Sequence, residues 1–389
     1  MKAVILAAGE GNRLEPLTGT RPKPMIPVAN KPVLEYVVEA VADAGIDEIV
    51  LVVGYERSRI QSHFGDGDDW DVTIEYAVQE KQLGTAHAVL QARPHVDEPF
   101  LVLNGDRIIG PTAVERVAEA CDGDADAVAT VTSVDIPTRY GVVDIEGDRV
   151  LGIREKPPAH EASTDLINAG VYAFRPGVFE RLDETVAGTH GETGLPSTLN
   201  DLTAEGVVRA VRYDGRWLDL TYLWDLPFLN GQLLEELDGP DLEGASVSED
   251  ASVAADVAID RGSSVRPFAT LGRGVALGEN VSVGAGAVLS NTVVMADATI
   301  EPGAVVRDAV IGQNATVGAN ATVAGGRGDI VVEGTYHDDV RLGGVVGDNA
   351  SLGADVTLAP ATVVGTDATV ESGLTLDRRV PSGTEVRRG

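Results

Sequence analysis

From residue 247 onward, aliphatic residues return every six positions: Val247, Val253, Ile259, Val265, Leu271, Leu277, Val283 and Leu289. After a slip the series resumes at Val294, Ile300 and Val306, then at Ile311, Val317 and Val323, and again at Val346, Leu352, Leu358, Val364, Val370 and Leu376. Small residues and glycines fill the intervals. An α-helix needs a period of about 3.6 and a flat strand a period of about 2, so neither fits. A strict period of six with an aliphatic anchor is the mark of hexapeptide repeats, which wind into a left-handed parallel β-helix. The break from Ala324 to Val345 calls for a projecting loop, and it contains His337, the only histidine in this half of the chain.

The first half reads differently. Ala3 to Leu6 makes a short buried strand, followed by a glycine-rich turn and a basic, proline-punctuated segment that ends at Pro32. Pro32 to Ala44 carries Leu34, Val37, Val38 and Val41 on one helical face, with Pro32 suited to the first turn and Gly45 to the stop. Ile49 to Gly54 is a continuous apolar run of the kind found in parallel strands covered on both faces. Strand, helix and strand open a doubly wound, Rossmann-like α/β domain, whose ligands bind at the carboxyl ends of the strands. Further strands are expected at Thr73–Val78, Phe100–Leu103, from Ala127 onward and at Val150–Lys156, with a closing helix at Trp224–Leu237. The Asp-Gly-Pro-Asp segment after it reads as a linker, giving domains 1–238 and 239–389.

The glycine turn points to an anion. Gly9 and Gly11 carry no Cβ and can take φ > 0, so a loop here can aim backbone N–H groups at phosphate. Arg13, Arg21, Lys23 and Lys31 form a locally basic patch in a chain of net charge −31. That global charge argues against nucleic acid or an anionic membrane as partner. Asp and Glu number 61 and are spread along the sequence, as in salt-adapted, halophilic proteins. Cys121 is the only cysteine, which excludes an intramolecular disulfide and a cysteine metal site. No stretch approaches a signal peptide or a transmembrane span, so a cytoplasmic location is expected.

Two familiar phosphate motifs fail here. No G-x-x-x-x-G-K-[ST] string occurs, and Leu14 stands where G-x-G-x-x-G needs its third small residue. What remains, LAAGEGNRLEPLTGTRPKP from Leu6 to Pro24, resembles the signature of the sugar-1-phosphate nucleotidylyltransferases. The resemblance extends through the chain and implies roles for particular residues. Ala8, Gly9 and Gly11 would cradle the nucleotide. Gln79 with Gly84 and Thr85, in the string QEKQLGTAHA, would form the nucleobase pocket; an amide can both donate to and accept from a pyrimidine edge. Asp106, directly after an apolar strand, resembles the family's metal aspartate. Tyr140 and Gly141, Glu155 and Lys156 of IREKP, and Asn168 of N-x-G-x-Y would line the sugar pocket, with Lys156 on the sugar phosphate. If the strand persists through them, Glu155 and Lys156 point to opposite faces. Asp219 of W-x-D would be the second metal ligand, although Thr221 and Tyr222 follow where the family pattern has a glycine.

The implied reaction joins a pyrimidine nucleoside triphosphate, UTP or dTTP, to glucose-1-phosphate or N-acetylglucosamine-1-phosphate, yielding an NDP-sugar and pyrophosphate. The attacking phosphate monoester has a second pKa of about 6 and needs no general base at neutral pH. Catalysis then reduces to positioning and charge neutralisation. Arg13 and Lys23 would serve the triphosphate, and Asp106 and Asp219 would hold Mg²⁺. Two rival readings stand beside this one. The β-helix would carry an acetyltransferase activity through His337, or the chain would be an inactive regulatory homologue. A homotrimer or higher oligomer built through the β-helix is expected from the same resemblance.

Overall fold

The structure, a computed structural model, describes residues 1–121, 125–187, 193–242 and 244–388. The chain divides into two compact units. The first comprises Met1–Glu10, Pro22–Met25 and Val33–Asp219; the second comprises Gly11–Arg21, Ile26–Pro32 and Leu220–Gly389.

In the first unit the continuous apolar runs become a nine-stranded sheet among the described residues. Its strands are β1 (Ala3–Ala7), β2 (Glu48–Val53), β3 (Thr73–Val78), β4 (Phe100–Asn104), β5 (Ala127–Ser133), β6 (Gly141–Glu146), β7 (Arg149–Glu155), β8 (Leu166–Phe174) and β9 (Val208–Arg212). Their spatial order is β3-β2-β1-β4-β8-β5-β9-β7-β6. β1 to β4 are mutually parallel, with Val4 opposite Val50 and Val102. Their carboxyl ends therefore lie along one edge of the sheet, which carries Ala8, Gly54, Gln79 and Gly105 out of the strands together. β8 reverses direction beside β4 and continues the sheet into a mixed half, largely antiparallel, that holds Asn168, Gly141 and Glu155.

Helix α1 (Val33–Asp43) buries Val33, Leu34, Val37, Val38 and Val41, as the periodicity requires. It stops at Gly45, whose φ of +77° lets Ile46 N–H bond back to the Val41 carbonyl. The helix starts one residue later than the sequence suggests. Pro32 instead pairs with Pro27 in a two-stranded turn of the second unit. The strand of IREKP ends at Glu155, and Lys156 takes φ +44°. The strand does not persist through both residues, so alternation across its faces does not govern where Lys156 points.

The second unit is a parallel β-helix. Three stacks of short strands run along it, with Val247, Val265 and Val283 in one, Val253, Leu271 and Leu289 in the next, and Ile259, Leu277 and Val294 in the third. Nearly every six-fold anchor is buried in one continuous core. The corners need a left-handed residue, and Asn280, Asp297, Asn314, Asn320, Asn349, Asp355 and Asp367 supply it with φ between +55° and +62°. Their amides form a second ladder: Asn280 donates to Asp297 at 3.1 Å, and Asn349 to Asp367 at 3.0 Å.

The slips in the period fall at Asn291 and Asp308, where a corner is turned inside a longer strand at φ +47° and +48°. Asp308 is buried and fully used. It accepts from Asn291 Nδ2 at 2.7 Å, Gly326 N at 2.9 Å and Arg341 Nε at 3.1 Å. These last two contacts clasp the base of the inserted segment, which is a β-hairpin pairing Arg327–Val332 with Thr335–Arg341. Its two-residue turn, Glu333-Gly334, is left-handed at both positions (φ +49° and +77°), matching the twist of the strands it joins.

Candidate functional site

In the first unit, β4 ends at Asn104 and the chain turns through Gly105 and Asp106 into a short strand, Arg107–Ile109. A side chain at Gly105 would strike the Leu6 carbonyl at 2.8 Å, so glycine is required where this turn crosses β1. Arg107–Ile109 pairs antiparallel with Trp217–Asp219, with Asp219 opposite Arg107. That register brings the two expected metal ligands, Asp106 and Asp219, to neighbouring positions although they are far apart in sequence.

Both carboxylates face cations. Lys23 Nζ lies 2.6 Å from Asp106 Oδ2, and Arg107 Nε lies 3.6 Å from Asp219 Oδ1. Burial alone would push the Asp106 carboxyl up, but the charges of Lys23 and Arg107 and the Lys23 hydrogen bond outweigh it and hold the group below the ordinary carboxylate range. Arg107 keeps its charge for the converse reason: burial opposes it, and Asp219 and Asp106 overcome that opposition.

Arg107 is the residue that sequence reasoning missed. Its Nη1 donates to the Asn168 carbonyl at 3.1 Å and its guanidinium lies 5.5 Å from the centre of the Trp217 ring. Gly170, at φ +87°, makes room for it, since a Cβ there would stand 2.6 Å from Nη1. The available signal was a cation placed directly after the strand-end aspartate.

Gln79 leaves β3 almost fully buried, 3% exposed. Its Nε2 donates to the Gly84 carbonyl at 3.1 Å and meets His87 Nδ1 at 2.9 Å. A carbonyl only accepts, so this contact fixes which end of the amide is nitrogen; His87 Nδ1 must then accept as well. Burial lowers the His87 pKa and favours that neutral ring. The hydrogen bonds of the Gln79 side chain among the described residues run through Nε2, not Oε1. Gly84, at φ +93°, lies so close to Thr193 that a Cβ would meet its carbonyl oxygen at 2.3 Å. Thr85 Oγ1 accepts from Leu195 N at 2.8 Å, so its hydroxyl braces the start of the helix Leu195–Glu205.

On the antiparallel side Gly141 stands opposite Glu155, and an added Cβ would lie 2.9 Å from Glu155 Oε2. Asn168 donates to Tyr172 Oη at 2.7 Å, and Tyr140 meets Trp217 edge-on with ring centres 5.2 Å apart. Lys156 is exposed. Gly9 is open: a Cβ added there would have no neighbour within 4 Å.

Gly11 and Arg13 group with the second unit. Gly11 takes φ +77°, as a left-handed glycine turn requires, whereas Gly9 does not enter that region. Arg13 Nε donates to Glu333 Oε2 at the hairpin turn, 2.8 Å away, and its guanidinium lies 6.0 Å from the centre of the Tyr222 ring. Tyr222 stacks on Trp224 at 4.4 Å, and His337 closes against both at 4.9 and 5.1 Å. His337 is thus partly buried among rings, not a solvated residue. Where the family pattern has a glycine after Asp219, the Asp225 carboxylate instead accepts from the backbone N–H of Thr221 and Tyr222, at 3.0 and 2.6 Å. Arg21 does not contribute to a basic patch: its guanidinium is buried against Asp348 at 2.6 Å.

Residues 2–230 match the family described as Nucleotidyl transferase, and residues 253–380 match the GMPPB C-terminal domain. Among curated proteins, the bifunctional protein GlmU of Methanococcus maripaludis strain C5 is 38% identical over 61% of this chain and 55% of its own length. The low-salt glycan biosynthesis nucleotidyltransferase Agl11 of Haloferax volcanii is 37% identical over 65% of this chain and 71% of its own length. The glucose-1-phosphate thymidylyltransferase of Streptomyces antibioticus is 34% identical over 70% and 76%. The chain spans between 55% and 62% of the length of the GlmU proteins it matches. Among solved structures, a Bacillus anthracis protein described as a glucose-1-phosphate thymidylyltransferase, in complex with a sucrose, superposes with a TM-score of 0.57 at 28% identity, covering 61% of this chain and 96% of that one. With its glycine loop, its strand-end aspartate and these matches, the chain belongs to the sugar-1-phosphate nucleotidylyltransferase family.

Proposed function

We propose that the protein transfers a nucleotidyl group from UTP or dTTP to a hexose 1-phosphate, glucose-1-phosphate or its N-acetylamino counterpart. An oxygen of the sugar phosphate attacks the α-phosphorus, the bond from that phosphorus to the bridging oxygen of the β-phosphate breaks, and pyrophosphate leaves with the electron pair. The observation that carries this reading is the cluster of Lys23, Asp106, Arg107 and Asp219 beside the carboxyl ends of the parallel strands. Like charges must be brought together in this reaction, and a cluster of opposed charges is suited to receive them.

Two carboxylates form a donor set that fits Mg²⁺, which takes one or two protein oxygens and completes its shell with phosphates and water. Asp106 and Asp219 would hold it, where it would neutralise charge on the triphosphate. Lys23 and Arg13 contact the triphosphate, and Lys156 holds the sugar phosphate, with Tyr140, Gly141, Glu155 and Asn168 around the sugar ring. Ala8, Gly9 and Gly11 let the phosphates approach the backbone. Gln79 presents Oε1 as an acceptor, complementary to the N3–H of uracil or thymine and not to cytosine, whose N3 is itself an acceptor. The acetyltransferase alternative gains nothing from the packing of His337 against the stacked Tyr222 and Trp224 rings.

The remaining readings belong to the same proposal: a trimer or larger homo-oligomer through the β-helix, a halophilic cytoplasm as its setting, and a domain boundary near residue 238. Among the described residues no helix is long and apolar enough to cross a membrane. The test is pyrophosphate release in high KCl with Mg²⁺, crossing UTP, dTTP, CTP, GTP and ATP against several sugar 1-phosphates. Release with UTP or dTTP and one sugar supports the proposal. Release with CTP or with purines alone overturns the nucleobase assignment, and silence across the grid from folded protein favours the regulatory homologue.

A further inference from the structure

The four charges at the strand ends cancel. Asp106 and Asp219 contribute two negative charges, Lys23 and Arg107 two positive ones; Lys23 pairs with Asp106, and Arg107 lies beside Asp219 while its charge also reaches Asp106. The two cations are held differently. Lys23 is the end of a flexible stem whose one hydrogen-bond partner among the described residues is Asp106, so it can leave Asp106 for another anion. Arg107 is fixed by the Asn168 carbonyl, by the Trp217 ring and by the space that Gly170 leaves it. Its separation from Asp219, 3.6 Å, is too long for a hydrogen bond, and its buried Nε finds no hydrogen-bond acceptor among the described residues. Arg107 therefore acts on the carboxylates through its charge.

We propose that Arg107 is a positioning residue that keeps the Asp106–Asp219 pair neutralised, together with Lys23, so that the divalent cation enters with the triphosphate and not before it. The inference rests on reading those aspartates as the metal ligands. A cation arriving alone meets carboxylates already paired with the fixed charge of Arg107 and the movable one of Lys23, in a site where Asp219 is only 6% and Arg107 19% exposed, so solvent and salt screen the repulsion poorly. A triphosphate changes the balance because it offers Lys23 a new partner and carries the metal on its own oxygens.

The experiment titrates Mn²⁺ into the whole protein and reads free Mn²⁺ by electron paramagnetic resonance, first without nucleotide and then with UTP or dTTP, each series set against the same nucleotide without protein so that chelation by the triphosphate itself is subtracted. The wild type is expected to hold Mn²⁺ weakly alone and firmly with the triphosphate. Arg107→Leu should bind Mn²⁺ without nucleotide on the order of tenfold more tightly or better, and Arg107→Lys, which restores the charge, should return to weak binding. Arg107→Gln carries the same test if the leucine variant fails to give a native circular dichroism spectrum. Tight binding to the nucleotide-free wild type overturns the proposal. So does unchanged affinity in the neutral variants, even where they lose thermal stability, because a merely structural arginine would do that. The Asp219→Asn variant separates the two levels. If it leaves nucleotide-dependent Mn²⁺ binding intact, the metal-site reading fails and takes this inference with it. If it abolishes that binding while Arg107→Leu changes nothing, only the role of Arg107 is lost.

Discussion

The buried pair Arg21–Asp348 offers a sharp test of what holds the Gly11–Arg21 loop within the second unit. The side chains are 6% and 3% exposed and 2.6 Å apart. Asp348 also accepts from the Thr20 hydroxyl and from Gln313 N, so the carboxylate is fully engaged in a dry site. Replacing Arg21 with Met removes the countercharge and keeps most of the volume. Breaking one partner of a buried pair costs about 3–5 kcal/mol, because the other charge stays behind uncompensated. For a unit of this size each kcal/mol lowers Tm by roughly 2–4 °C, so a fall on the order of 10 °C is expected. Removing both charges, as Arg21→Met with Asp348→Asn, should recover much of that loss. The effect should also persist in molar KCl, since buried charges are screened little. The exposed pair Arg261–Glu279, 75% and 42% accessible, is the control and should cost under about 1 kcal/mol when broken. Calorimetry of the four forms at low and high salt provides the magnitudes, and hydrogen exchange across residues 11–21 locates the loosening. Single variants that cost less than about 1 kcal/mol, strict additivity in the double variant, or a loss that vanishes with salt would each refute the reasoning.

Three further outcomes follow from the first unit. Asp106→Asn should remove most pyrophosphate release while the protein stays folded; near-wild-type turnover at saturating Mg²⁺ would sink its assignment as a ligand. Burial lowers the His87 pKa from its ordinary 6.5, so the fold favours the neutral ring. Its contribution to stability is present above the unfolded-state pKa and is lost as the pH falls through the folded-state value. Protonation there would also take the acceptor from Gln79, so KM for the nucleotide should rise on the acid side in the wild type but not in His87→Asn, and identical pH profiles would count against the contact. Gly84→Ala forces a Cβ to 2.3 Å from the Thr193 carbonyl at φ +93°, which should raise KM for the nucleotide and lower Tm together. An alanine variant with unchanged kinetics would show that this turn can relax.

The β-helix is legible in the sequence because each rung carries one aliphatic anchor, and Val265 or Leu271 can only face inward if the chain bends every six residues. The parallel strands are legible for a similar reason: Val50 to Val53 have no polar partner to turn outward. What stays hidden depends on partners distant in sequence. Nothing near Arg21 announces Asp348, so its charge looks available when it is already committed. Arg107 escapes notice because its meaning comes from the Trp217–Asp219 strand laid against it. The position of Lys156 fails for a local reason, since a left-handed residue ends the alternation on which strand reasoning depends.

The hairpin at 327–341 shows how such a prism can be altered. Strand 309–311 pairs directly with 344–346, in register, with the whole hairpin leaving and re-entering at one corner. The anchors on either side, Val323 and Val346, remain in the same core as though the intervening residues were absent. A corner of this kind works as a socket. Segments of different length or chemistry can stand beyond a base that keeps the Gly326 and Arg341 contacts to Asp308, while the coils above and below keep their stacking. The face around Glu333 and His337 is thus carried by a column whose own stacking runs past it.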